Sequence, residues 1–289
     1  MTQFNFEAIG TLWQIDIYHD LSVVQEKTLL SVIENRIELF DKAYSRFRSD
    51  SLITMMSKET GTFDLPDDAE ELFKVYYDLY KRTGGLFTPL VGNLISDAGY
   101  DASYSLAQKK ELEIPAQWKD VLEYHYPSLL IKQPVILDFG AGGKGYLVDL
   151  VSNVLEQYDV SKYCIDAGGD ILYKNTTSIR IGLENPENTD QVVGVCVLEN
   201  GSICGSAGNR RAWGTFTHII NPKTLTSPTD ISAVWVTAET AFIADALATC
   251  LFFVEPEVLA DAYKFQYVRV RSDHTVERSA GFSGEVFLG

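Results

Sequence analysis

The segment that most limits how this chain can fold is residues 135–149, Val-Ile-Leu-Asp-Phe-Gly-Ala-Gly-Gly-Lys-Gly-Tyr-Leu-Val-Asp. Val135, Ile136 and Leu137 predict an apolar strand, Asp138 follows, and glycines at 140, 142, 143 and 145 form a turn. Leu147, Val148, Val151, Val154 and Leu155 then recur at helical spacing, so the turn opens into a helix. A glycine turn between strand and helix lets backbone N–H groups converge on an anion at the helix's positive end. Lys144 adds a point charge inside the same turn. The first expectation is therefore a phosphate-bearing ligand held here.

Three readings of this stretch compete. Gly140, Gly142 and Gly145 match the G-x-G-x-x-G fingerprint, and a second strand over 163–167 carries Asp166. That pattern suits a Rossmann-type site, including an S-adenosylmethionine methyltransferase, although the acid arrives later than the ~20 residues the fingerprint expects. A Walker A loop is excluded, because Gly140 stands too close to Lys144 and Gly145 occupies the Ser/Thr position. The plainest reading is a tight turn in an ordinary βα connection. Downstream, short strands predicted over 179–183, 192–198, 202–205, 216–220 and 231–237 follow one another without intervening helices. Such a run is not the βαβα alternation of a doubly wound sheet and weakens the methyltransferase reading.

Charge narrows the partners. With a net charge of −16 over 289 residues, the chain repels nucleic acid and anionic membrane. Any phosphate ligand must be drawn in by local cations, a backbone nest or a metal. Cys164, Cys196, Cys204 and Cys250 lie in apolar stretches without metal-ligand spacing, which predicts buried reduced thiols. The first residues show neither a basic region nor an apolar region of a signal peptide, nor a lipobox, and no apolar run reaches the ~18–20 residues of a membrane span. A cytoplasmic protein without membrane insertion is expected, built as a single domain over 1–289 or as two lobes.

Elsewhere, residues 4–18 predict one or two strands with a break at Gly10-Thr11, and Ser22 with Gln25 forms a capping box for a helix ending near Ala43. Residues 45–51 form a polar loop around Phe47. A second helix opens at Asp67-x-x-Glu70 and stops at Gly84-Gly85. Residues 97–128 read as loop and a short helix, with no site placed there and His125 structural. Residues 265–271 and 275–278 predict a closing hairpin. In the helix predicted over 239–254, Asp245 and Thr249 lie one turn apart on one face among small and apolar residues. A buried acid needs a partner. Hard Mg²⁺, bound by carboxylate, hydroxyl and backbone oxygens with ligand phosphates completing the shell, is one solution. An exposed Asp–Thr hydrogen bond is the other.

Together these residues give a resemblance to the FAD:protein FMN transferases, the ApbE-type flavin transferases. It rests on Ala8-Ile9-Gly10-Thr11, Ser45-Arg46-Phe47 with Asp50-Ser51, Gly84-Gly85-Leu86-Phe87, and Leu137-Asp138 followed by Lys144-Gly145-Tyr146 and Asp149. Gly168-Gly169-Asp170-Ile171, residues 218–222 and residues 245–249 complete the series. The resemblance implies an α+β fold, compact and flavin-transferase-like, with mixed or antiparallel sheets and packed helices. It implies Mg²⁺ held by Asp245, Thr249 and the carbonyl of Ala141. Flavin contacts carry over to Ile9, Ser45, Arg46, Phe47, Phe87, Thr88, Asp138, Lys144 and Ile219. The implied reaction moves FMN from FAD onto a Thr or Ser hydroxyl of a target flavoprotein and releases AMP. Asp245 and Lys144 would be catalytic, and His218 would accept the proton.

The sequence departs from the family where Thr88 replaces an Asp, where Ser206-Ala207-Gly208 replaces Thr-Ser-Gly, and where Asn221 and Leu225 replace the Asp and Gly of the histidine motif. An FAD pyrophosphatase or an FAD-binding protein on the same site is the nearest alternative.

Overall fold

The computed structural model describes residues 1–287. Buried and exposed side chains alternate along the first two strands, as a pair with one covered face requires. These are β1 (Thr2–Ala8) and β2 (Thr11–Ile17), joined through Ile9 and Gly10, which both adopt positive φ. From β2 the sheet follows chain order through β3 (Tyr163–Ala167), β4 (Ile171–Asn185), β5 (Asn188–Ala207), β6 (Ile231–Ala238), β7 (Gln266–Arg271) and β8 (Val276–Arg278). A last strand, β9 (Gly284–Val286), pairs with β5. Every pairing in this sheet is antiparallel. The α+β class is thus observed. The Rossmann reading fails, since that architecture needs parallel strands linked by crossover helices.

Four helices of ten residues or more pack with the sheet: α1 (Val23–Tyr44), α2 (Ala69–Arg82), α3 (Gly143–Gln157) and α4 (Ala241–Cys250). The capping box at Ser22 and Gln25 forms as the sequence predicts. The start of α2 differs. Its N-cap is Asp68, whose carboxylate binds Arg36 and Tyr44 instead of capping the helix. The short helix Trp118–Val121 lies in the loop-rich stretch, followed by Leu122–His125, a strand in a small sheet with Gly61–Asp64 and Ser128–Ile131. Of the strand predicted over 216–220, only Phe216–Thr217 pairs, against Ala212–Trp213.

The strand predicted over 135–137 does not form. Val135 and Leu137 are buried, but the backbone bonds elsewhere: Ile136 N–H donates to Asn93 Oδ1 at 3.0 Å and Asp138 N–H to the Pro89 carbonyl at 2.8 Å. An apolar run of three says only that a segment is covered, and a helix that the sequence did not predict, Gly92–Asp97, lies beside this one.

The main core fills the space between the helices and one face of the sheet, with Ile15, Ile33, Tyr76, Leu147, Ile165, Val234, Phe242 and Leu247 among its members. A second cluster, including Tyr173, Leu183, Trp235 and Val268, covers the other face. A third ties Leu94, Ile95 and Ala98 to Trp213, Phe216 and Ile220, so it anchors the loop that carries His218. All four cysteines are free and buried. No described helix is long and apolar enough to cross a membrane.

The glycines of the central turn serve this packing. A Cβ on Gly145 would lie 2.2 Å from the Ala241 carbonyl oxygen and 2.7 Å from Asp245 Cβ; one on Gly142 would lie 3.1 Å from Ala246 Cβ. Only glycine lets α3 approach α4 so closely. Gly145→Ala should therefore cost about 1–3 kcal/mol through overpacking. Gly140→Ala, whose added Cβ would meet only the Asp138 carboxylate, should cost less. Urea unfolding of the two variants checks this; equal stabilities would remove the packing role of Gly145.

Candidate functional site

The site begins where α3 and α4 touch. Asp149, two turns into α3, accepts the amides of Ala241 and Phe242 at 2.9 and 2.8 Å, tying down the start of α4 together with the N-cap Thr240. One turn further along α4, Asp245 is 6% exposed, and its Oδ2 accepts the Gly145 amide at 2.9 Å. The neighbouring Lys144 sends its Nζ to the Ala167 carbonyl at 3.1 Å and into an ion pair with Oδ2 of Asp170. Asp170, at the turn from β3 into β4, is 1% exposed, and neither carboxylate oxygen accepts a further hydrogen bond.

Two acids and one ammonium thus meet, the acids buried and the Lys144 side chain 24% exposed. Burial raises the Asp245 carboxyl well above the usual carboxylate range; the charge of Asp170 raises it further, while Lys144 pulls the other way. For Lys144, burial opposes the charged form, but Asp170 and Asp245 outweigh it and hold the ammonium above its ordinary value. With both acids ionised, the cluster carries one negative charge more than it neutralises. A hard divalent cation suits that imbalance. The donors at hand are oxygens: Asp245, the Thr249 hydroxyl one turn along α4, and the carbonyl of partly buried Ala141. Ala141 adjoins Gly142, which abuts Phe242 and Ala246 of α4. The Thr249 hydroxyl makes no hydrogen bond among the described residues. No group of three His, Cys, Asp or Glu able to hold a metal occurs among the described residues. Mg²⁺ held by one or two carboxylates plus substrate phosphates fits such an open donor set.

The backbone nest expected at residues 140–145 is not built. The Gly140 amide donates to Asp138 Oδ1 at 2.7 Å, those of Gly142 and Gly143 to the Phe139 carbonyl, and that of Gly145 to Asp245. These N–H groups close the turn and bind Asp245, so they do not converge on a common point.

The residues expected to touch flavin divide. Arg46 and Asp138 meet, Nε to Oδ2 at 2.5 Å, and the Arg46 guanidinium lies 4.1 Å from the Phe47 ring centre and 5.1 Å from that of Tyr100. Phe47 stacks on Tyr104 at 5.3 Å, and Tyr100 on Trp213 at 5.5 Å. The sequence placed no site among residues 97–128, yet Tyr100 and Tyr104 belong to this aromatic wall. Ser45 caps α1 and holds the loop through Phe47 N–H. Phe87 instead faces the core, 1% exposed and 4.7 Å from Tyr76. Thr88 is buried, its Oγ1 accepting the Leu90 amide at 3.2 Å to cap the turn Pro89–Val91. Ile9 holds a φ of 46°, an uncommon conformation for a β-branched residue. Ile219 is buried in the main core. His218 is partly buried, with Nδ1 sealed off and without a hydrogen-bond partner. Burial pushes its pKa down to about 4, so the ring is neutral at pH 7.

The ApbE family model matches residues 9–269. Among curated proteins, the chain is similar to the FAD:protein FMN transferase of Klebsiella pneumoniae (strain 342), 22% identical over 89% of this chain and 79% of that protein. It is also similar to that of Treponema pallidum (strain Nichols), 23% identical over 85% and 76%. Among solved structures, the ApbE protein of Thermotoga maritima superposes with a TM-score of 0.82 at 20% identity, covering 96% of this chain and 97% of that one. The flavin transferase ApbE from Vibrio cholerae gives 0.81 at 21%, covering 97% of each.

Asp149 yields a pH test of the α3–α4 junction. Burial raises its carboxyl from 3.8 to about 7, outweighing the two amides that favour the charged form. A raised acid contributes stability that is complete below its unfolded value and is lost as the pH rises through the folded one. The stability advantage of wild type over Asp149→Asn should therefore shrink as the pH rises from about 3.8 to about 7. Urea midpoints of both proteins across that window check the sign; an advantage that grows with pH would show the amide donors winning instead.

Proposed function

Because the chain belongs to the ApbE family, we propose that it is a flavinyltransferase that moves FMN from FAD onto a Thr or Ser hydroxyl of a target flavoprotein, releasing AMP. The observation that carries this reading is the Lys144–Asp170–Asp245 cluster together with the Arg46–Asp138 pair and its aromatic wall, Lys144 and Asp138 both lying near enough to His218 to act on its charge. One part offers charge for a pyrophosphate and the other offers ring faces for a flat heterocycle. The named relatives share the family, and their activity supports the same reading here.

Asp245, Thr249 and the Ala141 carbonyl would hold Mg²⁺, which when bound supplies Lewis-acid stabilisation of charge developing on the phosphoryl oxygens. Lys144 supplies a second positive charge where the anhydride breaks and AMP leaves. Asp149 keeps α4 in place, so Asp245 and Thr249 stay on one face toward that point. His218, neutral at pH 7, can take the proton of the acceptor hydroxyl at Nε2, the ring nitrogen not sealed within the protein. Its low pKa makes it a weak base, and positioning the hydroxyl is then its larger contribution. Arg46 and Phe47 would hold the flavin end, with Arg46 fixed by Asp138 and the Tyr100 carbonyl. FAD and the target flavoprotein are the partners in this scheme.

Asp245→Asn should lower AMP release from FAD by about 10²–10³-fold while leaving the fold intact, since the lost charge acts mainly on the transition state. Thr249→Val should lower it less, a hydroxyl being the weaker ligand. AMP chromatography and intact mass of a co-expressed flavoprotein, with circular dichroism as the folding control, measure both. Near wild-type AMP release from Asp245→Asn would overturn the assignment. AMP and free FMN without any mass gain on an acceptor would mark a pyrophosphatase.

A further inference from the structure

Asp170 belongs to the charged cluster but is given no ligand of its own in the reading above, yet it is the more deeply buried acid, 1% exposed against 6% for Asp245. A carboxylate so far from water is costly unless its oxygens are occupied. Among the described residues its only ionic partner is the ammonium of Lys144, and neither carboxylate oxygen accepts a further hydrogen bond. Lys144 itself stands one residue from Gly145, whose amide binds Asp245, so the two acids flank a single cation. The charge of Asp170 acts on Asp245 strongly enough to be its largest influence after burial.

We infer that Asp170 is a second carboxylate of the divalent-cation site, and that Lys144 is the internal counter-ion which a metal displaces. This rests on the cation reading proposed above. Two acids facing one ammonium leave a unit of negative charge, and a divalent ion balances the pair of acids by itself. A metal held by Asp170 and Asp245 would repel the ammonium of Lys144. The ammonium then turns toward the anionic phosphates of the nucleotide, leaving the Ala167 carbonyl that now holds it. The same side chain thereby stabilises the empty site and contacts the substrate in the filled one. Metal and lysine compete for the acids, and binding one releases the other for phosphate.

The rival is that Asp170 only anchors Lys144. A double-mutant cycle separates the two. Mn²⁺ alone is titrated by calorimetry at pH 8, without FAD, into wild type, Lys144→Met, Asp170→Asn, the double variant and Asp245→Asn. Lys144→Met should bind Mn²⁺ about tenfold more tightly than wild type, and Asp170→Asn about tenfold more weakly. In the Lys144→Met background, where Asp170 has no ammonium left to anchor, Asp170→Asn should still weaken Mn²⁺ binding. No effect of Asp170→Asn in that background, or no gain in Lys144→Met, overturns the inference. If Asp245→Asn abolishes binding while Asp170→Asn leaves it unchanged, the cation site stands and the inference falls. Binding to neither wild type nor Lys144→Met overturns both. Thermal melts confirm folding, and Lys144→Gln replaces Lys144→Met should the latter not fold.

Discussion

The close approach of α3 to α4 is the constraint on which the site depends. With the Gly145 Cβ position only 2.2 Å from the Ala241 carbonyl oxygen, any side chain there would separate the two helices. Their contact does three things at once. It lets the Gly145 amide reach Asp245, it lets Asp149 take the first amides of α4, and it sets Lys144 against the β3–β4 turn. A buried acid survives only where donors or cations are fixed around it. The packing of two helices therefore decides whether the chemistry can be assembled at all.

Electrostatics gives the second layer. A chain with a net charge of −16 repels an anionic dinucleotide at long range, so attraction has to be local. Lys144 is local but already committed to Asp170, and Arg46 is committed to Asp138. Neither cation is free to bind phosphate as a simple surface charge would. Arg46 keeps its guanidinium face over Phe47 and Tyr100, so it contributes a planar cationic wall beside the rings. The site is built from paired charges, each cation held by an acid of its own chain.

Much of this could be seen in the residues before the fold was known, and the reasons for the exceptions are physical. Strands β1, β2 and β3, the Ser22 capping box and the closing hairpin follow from local patterns, and local patterns settle local structure. The Asp245–Thr249 spacing placed both residues on one helix face without any tertiary information. The segment 135–137 failed as a strand because burial and sheet pairing are different properties, and its backbone partners, Asn93 and Pro89, come from a stretch with weak periodicity. The G-x-G-x-x-G pattern misled for a related reason. Glycine spacing shows that something must come close, and at Gly142 and Gly145 it is the helix α4. Asp170 was visible in Gly168-Gly169-Asp170, but its contact with Lys144 joins elements that only the folded sheet brings together. Tyr100 and Tyr104 carried no signal, since stacking on Phe47 is purely tertiary.

Three of the departures from the family motifs, Thr88, Asn221 and Leu225, sit in turns that their own residues shape. Asn221 stands where the family has an Asp, and its Oδ1 still accepts the amides of Lys223 and Thr224 at 2.9 and 3.2 Å. A neutral amide oxygen forms that turn as a carboxylate would, though more weakly. Leu225 stands where the family has Gly, and it adopts the φ of 60° that glycine takes without strain. A leucine pays about 1–2 kcal/mol for that conformation. It recovers a comparable amount by packing its side chain against the Leu94–Trp213–Ile220 cluster, which a glycine could not do. Thr88 likewise performs the turn-capping task that an Asp would perform. In each case the substitution keeps the path of the chain and removes a charge or a flexible joint. The loop carrying His218 is thus shaped by the Asn221 turn and packed through Leu225 against the Leu94–Trp213–Ile220 cluster, so both its path and its position are fixed by contacts within this chain.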